Sequence, residues 1–182
     1  QAGGVYRMDQ GLAISDRSNL TFEGNGATLQ ANGPDSCGRE CSLFYLEDGN
    51  RGIIIRGFVL AGNSATPGTY DPAREHASGI TVVGGGQVEI AEVTVEAVGG
   101  DALTITVSAP EWPNGIWFHD SHVISAGRNG VAVIAGSDVV VERVAFDVSG
   151  YTVFDIEPNT DEQGASNIRF LDNTAGTWTN SF

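Results

Sequence analysis

The run Thr69-Tyr70-Asp71-Pro72-Ala73-Arg74-Glu75-His76 gathers a phenol, two carboxylates, a guanidinium and an imidazole. Tyr70 or His76 could exchange a proton with a bound substrate, and Arg74 could pair with a substrate carboxylate. The same run reads equally as a long surface loop held by its own hydrogen bonds. A second pair, Asp155 and Glu157, stands at i and i+2 in an alternating segment. On a strand these two share one face with Cα atoms about 6.5–7 Å apart. Such a pair can serve as acid and base in glycoside hydrolysis, or hold a cation such as Ca²⁺. Like charges that close raise the pKa of one member, as a general acid requires. The plainer reading is a solvated strand end, with Glu157 opening the turn at Pro158-Asn159.

Asp101 follows Gly99-Gly100 and could orient His76 or Arg74, or satisfy backbone donors in a turn. Trp112, in Glu111-Trp112-Pro113-Asn114, is a candidate stacking platform or a packing residue. His119, Asp120 and His122 are metal-ligating types, but His119 and Asp120 fall on opposite sides of a strand, so no metal site is expected. Gly84-Gly85-Gly86 precedes a strand rather than a helix and reads as a turn, not a phosphate cradle. Cys37 and Cys41 close a small loop; a disulfide there is geometrically possible and would imply an oxidising compartment, and two cysteines alone make no zinc site.

The elements that must position these groups are short and repeated. One series of apolar segments starts at Phe44, Ile80, Leu103, Val131 and Phe154. A second interleaves with it, starting at Leu20, Ile53, Val88, Ile116, Val139 and Ile168. A third follows after a tight corner, starting at Phe58, Val93, Val123 and Val144. Each segment alternates apolar and polar, the period of a strand, and no stretch sustains a helical period. A unit of about 22 residues with insertions at fixed corners predicts coils of three short strands, which bury their inward residues only by stacking. A β-sandwich also gives short alternating strands, but clear two-residue hairpin turns are missing here.

The chain resembles the right-handed parallel β-helix superfamily, the pectate-lyase and polygalacturonase-like fold. The resemblance is carried by Ser18 to Leu29, by Ser78 to Val83 with Gly99 to Ile105, by Phe154 to Asn159 and by Asn167 to Asn173. Tyr70-Asp71-Pro72 also resembles the Tyr-Gly-Phe-Asp-Pro-His segment of alginate C5-epimerases, with the histidine at 76 rather than directly after the proline. The expected fold is all-β: a single-stranded right-handed parallel β-helix of about six coils, one domain over 1–182, within a larger protein or assembly. Val5 to Met8 reads as the last strand of a preceding partial coil. The resemblance implies a saccharide groove on the first-strand face, between the two variable loops. Alternation turns Tyr45, Glu47, Thr81, Val83, Thr104, Thr106, Ala132, Ile134, Asp155 and Glu157 outward there. Tyr45, Glu47, Thr81, Thr104, Thr106, Trp112 and Arg128 are the expected substrate contacts. His76, Tyr70, Asp71, Arg74, Asp101, Asp155 and Glu157 are the expected chemical groups.

Charge sets limits on partners. The 182 residues carry 23 Asp and Glu against 9 basic residues, all arginine, for a net charge of −14. No phosphate-neutralising face can be assembled from them, which excludes duplex nucleic acid. No apolar run approaches a membrane span, and Gln1 to Gln10 lacks the look of a signal peptide. Two functions follow as expectations. One is a polysaccharide-acting enzyme, lyase, epimerase or hydrolase, on a polymer that could contain uronic acid, with Ca²⁺ as a possible cofactor. The other is a non-catalytic glycan-binding, adhesin or tail-fibre-like rod, alone or as a homo-oligomer. Both place the protein outside the cell, secreted or at a cell or virion surface.

Overall fold

The structure is a computed structural model that describes residues 2–33, 42–47, 49–107 and 112–179. Cys37, Cys41 and Glu111 lie outside the described residues.

The chain winds as a parallel β-helix. A lone strand β1 (Val5–Met8) precedes the first coil, which consists of β2 (Leu12–Ile14) and β3 (Ser18–Ala31). The second coil is β4 (Phe44–Leu46) and β5 (Arg51–Ala61). Later coils have three separate strands. They are β6 (Ile80–Val83), β7 (Gly86–Ala91) and β8 (Thr94–Glu96), then β9 (Leu103–Thr106), β10 (Asn114–His119) and β11 (His122–Ala126). The last two are β12 (Val131–Val133), β13 (Gly136–Glu142) and β14 (Ala145–Ser149), then β15 (Phe154–Ile156), β16 (Ala165–Leu171) and β17 (Thr174–Trp178). A 3-10 turn at Pro72–Arg74 is the helical element among the described residues, and no helix among them is long and apolar enough to cross a membrane.

First strands stack in one six-stranded parallel sheet, ordered β15-β12-β9-β6-β4-β2. Second and third strands form one eleven-stranded sheet, because β3 and β5 run on around the corner between them. β1 pairs with the third-strand half of β3, Val5 opposite Thr28 and Met8 opposite Ala31.

Two columns of left-handed backbone make the corners. Asn19, Gly52, Gln87, Gly115, Asp138 and Asn167 each have φ between 50° and 70° near the start of a second strand. Gly57, Glu92, Asp120, Arg143 and Asp172 also have a positive φ, between 48° and 70°, at its end. Glycine, asparagine and aspartate tolerate that region best, so the larger side chains at 87, 92 and 143 are held there by the ladders on either side.

The core is the stack of inward residues. Phe44, Leu46, Ile80, Val82, Leu103, Ile105, Val131 and Val133 are buried on the first-strand side. Ile53, Ile55, Val88, Ile90, Ile116, Phe118, Val139 and Val141 meet them from the second strands. Rings of Phe22 and Phe58 pack edge-on against Phe44, at 5.7 and 5.5 Å. Buried asparagines serve the turns: Asn50 donates to the carbonyls of Ile14 and Glu47 and accepts from the Arg17 amide. At the far end burial fails, and Ile156, Phe170 and Trp178 are 47%, 38% and 48% exposed.

Candidate functional site

Register puts the outward side chains of the first strands in one column. Tyr45 pairs with Thr81, Thr81 with Thr104, Thr104 with Ala132, and Ala132 with Asp155. Val83 pairs with Thr106 in the column beside it. Thr81, Val83 and Ala132 are nonetheless buried, and the loops at 62–79 and 157–164 flank this face.

Between these loops lies a cleft of about 420 Å³. Tyr45, Thr81, Thr104 and Thr106 face it from the sheet, and Ile134 lines it as well. His76 and Glu75 come from the 70–78 loop, Asp101 and Arg128 from turns before first strands, and Glu157 and Asn159 from the segment after β15.

Arg128 is the hub. Its Nη1 donates to Asp101 Oδ2 at 3.3 Å and its Nη2 to Glu157 Oε2 at 2.5 Å. Burial opposes the Arg128 charge, but the hydrogen bond to Glu157 and the negative charges of Asp101 and Glu157 outweigh it and raise its pKa. Asp101 is fully engaged: Oδ1 accepts from the Asn129 amide, and Oδ2 also accepts from the Thr104 hydroxyl. Burial pushes its pKa up to about 6, against the pull of Arg128 and these donors. These bonds tie Asp101 to Arg128 and to the start of β9. Glu157 Oε1 is buried with no hydrogen-bond partner among the described residues.

Other predicted residues stand outside the cleft lining. Asp155 shares the outward column beyond Ala132, and burial together with the nearby Glu157 charge raises its pKa. Glu47 follows the outward column, its amide bonded to the Ile14 carbonyl. Tyr70 donates to Glu75 Oε2 at 3.0 Å and packs on Tyr151, with ring centroids 5.6 Å apart. Burial and that bond to Glu75 raise the phenol pKa. Asp71 caps the 3-10 turn by accepting from the Ala73 amide. Arg74 turns away from the cleft to donate to Asn63 Oδ1 at 2.5 Å. Trp112 donates to the Glu162 carbonyl and covers Gly164, so it pins one loop to the next.

His119, Asp120 and His122 do not converge. His119 Nδ1 meets Asp120 at 2.6 Å, whereas His122 Nε2 meets Asp147 at 2.8 Å. No group of three metal-ligating side chains is placed to hold an ion among the described residues. Ser78 and Asn159 line the cleft without having been singled out from the sequence, their positions beside the predicted loop and strand being the available signal; Glu75, one of the two carboxylates read in the 69–76 run, lines it as well.

The fold defines the class: a parallel β-helix with a cleft on the first-strand face, lined by carboxylates and hydroxyls together with Arg128 and His76. Compared with known proteins, the chain matches no family model, no curated protein and no solved structure.

Proposed function

We propose that this chain is a carbohydrate-active β-helix protein that takes a polysaccharide along the first-strand cleft and hydrolyses it with carboxylate acid–base chemistry. The observation that supports this most is Glu157, with one oxygen tied to Arg128 and the other buried, unpartnered and at the cleft. In this reading Glu157 is the base or nucleophile, and Asp155, on the same outward face with a raised pKa, is the general acid. Thr104 and Thr106 offer hydroxyl oxygens to the sugar, and Tyr45 offers a ring to one of its faces.

Hydrolysis of a neutral glycan suits these groups better than elimination from a uronate. Arg128 is already bonded to two carboxylates and Arg74 to Asn63. A uronate carboxylate would need a bridging Ca²⁺ to approach Glu75, Asp101 and Glu157. The test is a reducing-end assay on neutral glycans, alginate and pectate, with and without Ca²⁺. Wild type is expected to cleave a neutral glycan, and Glu157→Gln and Asp155→Asn to lose roughly 10²–10⁴-fold in rate. An inactive wild type, or a fully active Glu157→Gln, removes this reading.

A second reading is a non-catalytic rod that binds glycan within an assembly. The acidic, lysine-free composition, with a net charge of −14, favours it. Sedimentation velocity separates the two: a tight oligomer without activity supports the rod, and an active monomer supports the enzyme.

A further inference from the structure

We propose that the second-strand face carries a separate saccharide-binding subsite, with Trp117 as its stacking plate. Neighbouring second strands set Thr21, Ile54, Glu89 and Trp117 side by side on the outer face. Beside them runs the left-handed column, in which positions 52 and 115 are glycine. The missing side chains help sink a depression of about 480 Å³, lined by Thr21, Gly52, Ile54, Gln87, Gly115 and Trp117.

The indole is fixed in place. Its ring stacks on His119 with centroids 3.7 Å apart and planes 23° apart. Its Nε1 donates to Glu142 Oε1 at 3.0 Å. Trp117 is still 39% exposed and borders the depression. A side chain already ordered in this way loses little further freedom on binding.

The chemistry around it selects the ligand. An apolar floor with a rigid aromatic wall accepts the C–H face of a pyranose whose hydroxyls are equatorial. The Gln87 and Glu89 side chains supply donors and acceptors for those hydroxyls. Glu89 and the net charge of −14 turn anionic ligands away. The cleft lies on the first-strand sheet and this depression on the second, so the two sites are independent.

The probes are hexasaccharides of β-1,4-linked glucose, xylose and N-acetylglucosamine. The readout is the indole N–H resonance of Trp117, assigned by its loss in Trp117→Phe. At least one hexasaccharide is expected to shift that resonance saturably, in wild type and in Glu157→Gln alike. Gly115→Asn fills the depression at a position whose column already holds Asn19 and Asn167 in the same backbone conformation. It is expected to keep the fold and weaken binding about tenfold or more. Three results each overturn the proposal: no hexasaccharide moves the resonance at millimolar concentration, Gly115→Asn binds as wild type does, or the resonance moves only with protein concentration, which indicates self-association.

Discussion

Arg128 and Arg143 each stand between two carboxylates, and the two clusters behave oppositely. At the outer corner Arg143 grips Asp120 in bidentate fashion, at 2.7 and 2.8 Å, and reaches Glu142 at 2.7 Å. In the cleft Arg128 meets Asp101 at a longer 3.3 Å and Glu157 at 2.5 Å. By distance alone the corner pairs its Asp better. Yet the Asp101 pKa is pushed up, whereas that of Asp120 falls well below the carboxylate range through its hydrogen bonds to Arg143 and His119. Burial accounts for the difference. The Asp101 side chain is 2% exposed and the Asp120 side chain 44%. Losing water costs a charge more than one imperfect ion pair returns.

The largest difference is expected on removing each arginine. Arg128→Met leaves Asp101 and Glu157 facing each other, largely buried, with no cation. It should cost about 3–5 kcal/mol and lower the thermal midpoint by roughly 10 °C. Arg143→Met leaves Asp120 to water that already screens it, and Glu142, although its side chain is 20% exposed, keeps its hydrogen bond from Trp117, so the midpoint should stay close to wild type. Calorimetry of the two variants side by side checks this, and equal losses would show that burial is not what separates the clusters.

Next comes pH. The Asp101 pKa is about 6 in the folded chain against 3.8 for the free side chain. Between those values the folded state holds the proton more tightly, so stability falls as pH rises through the window. The full loss is present above pH 6 and amounts to about 3 kcal/mol. Asp101→Asn removes this slope. The stability of wild type relative to Asp101→Asn, from urea unfolding, should therefore drop from pH 4 to 6.5. A flat difference, or one that rises, contradicts the account. For Asp120 the sign is reversed: its contribution is present above the ordinary carboxylate pKa and is lost as acid approaches its lowered value.

Much of this architecture could be read from residue types, and what escaped did so for physical reasons. The middle coils announce themselves because inward positions such as Phe44, Ile80 and Leu103 are almost fully buried and must be apolar. The strands Leu12–Ile14 and Thr174–Trp178 escaped because they lie toward the ends of the stack. Leu12 is 37% exposed and every residue of β17 is exposed, so alternation is weakly enforced. The tight corner between second and third strands was legible at Gly57, Glu92 and Arg143 alike, but its left-handed backbone is signalled by residue type at Gly57 alone of these three, since the side chains of Glu92 and Arg143 do not advertise a positive φ. Parity on the strands places Thr81, Thr104 and Asp155 in one column. It says nothing about the reach of a loop arginine to carboxylates 27 and 29 residues away, and that reach defines the centre of the cleft. Nor could spacing show that Arg74 would turn to Asn63.

The smallest expected effect concerns salt, and it gives the finest test of the comparison. The Arg143 side chain is 45% exposed, so mobile ions can reach its pairs. At 1 M ionic strength the screening length is about 3 Å, comparable to the pair distances themselves. Any gap in thermal midpoint between wild type and Arg143→Met at low salt should therefore close at 1 M NaCl. The Arg128 side chain is 20% exposed and lies between loops that limit ion access. The gap for Arg128→Met should persist at 1 M NaCl, because ions cannot replace a cation held inside the cleft. If salt rescued Arg128→Met as well, the cleft would be as open to solvent as the corner. Burial could then no longer explain the raised Asp101 pKa.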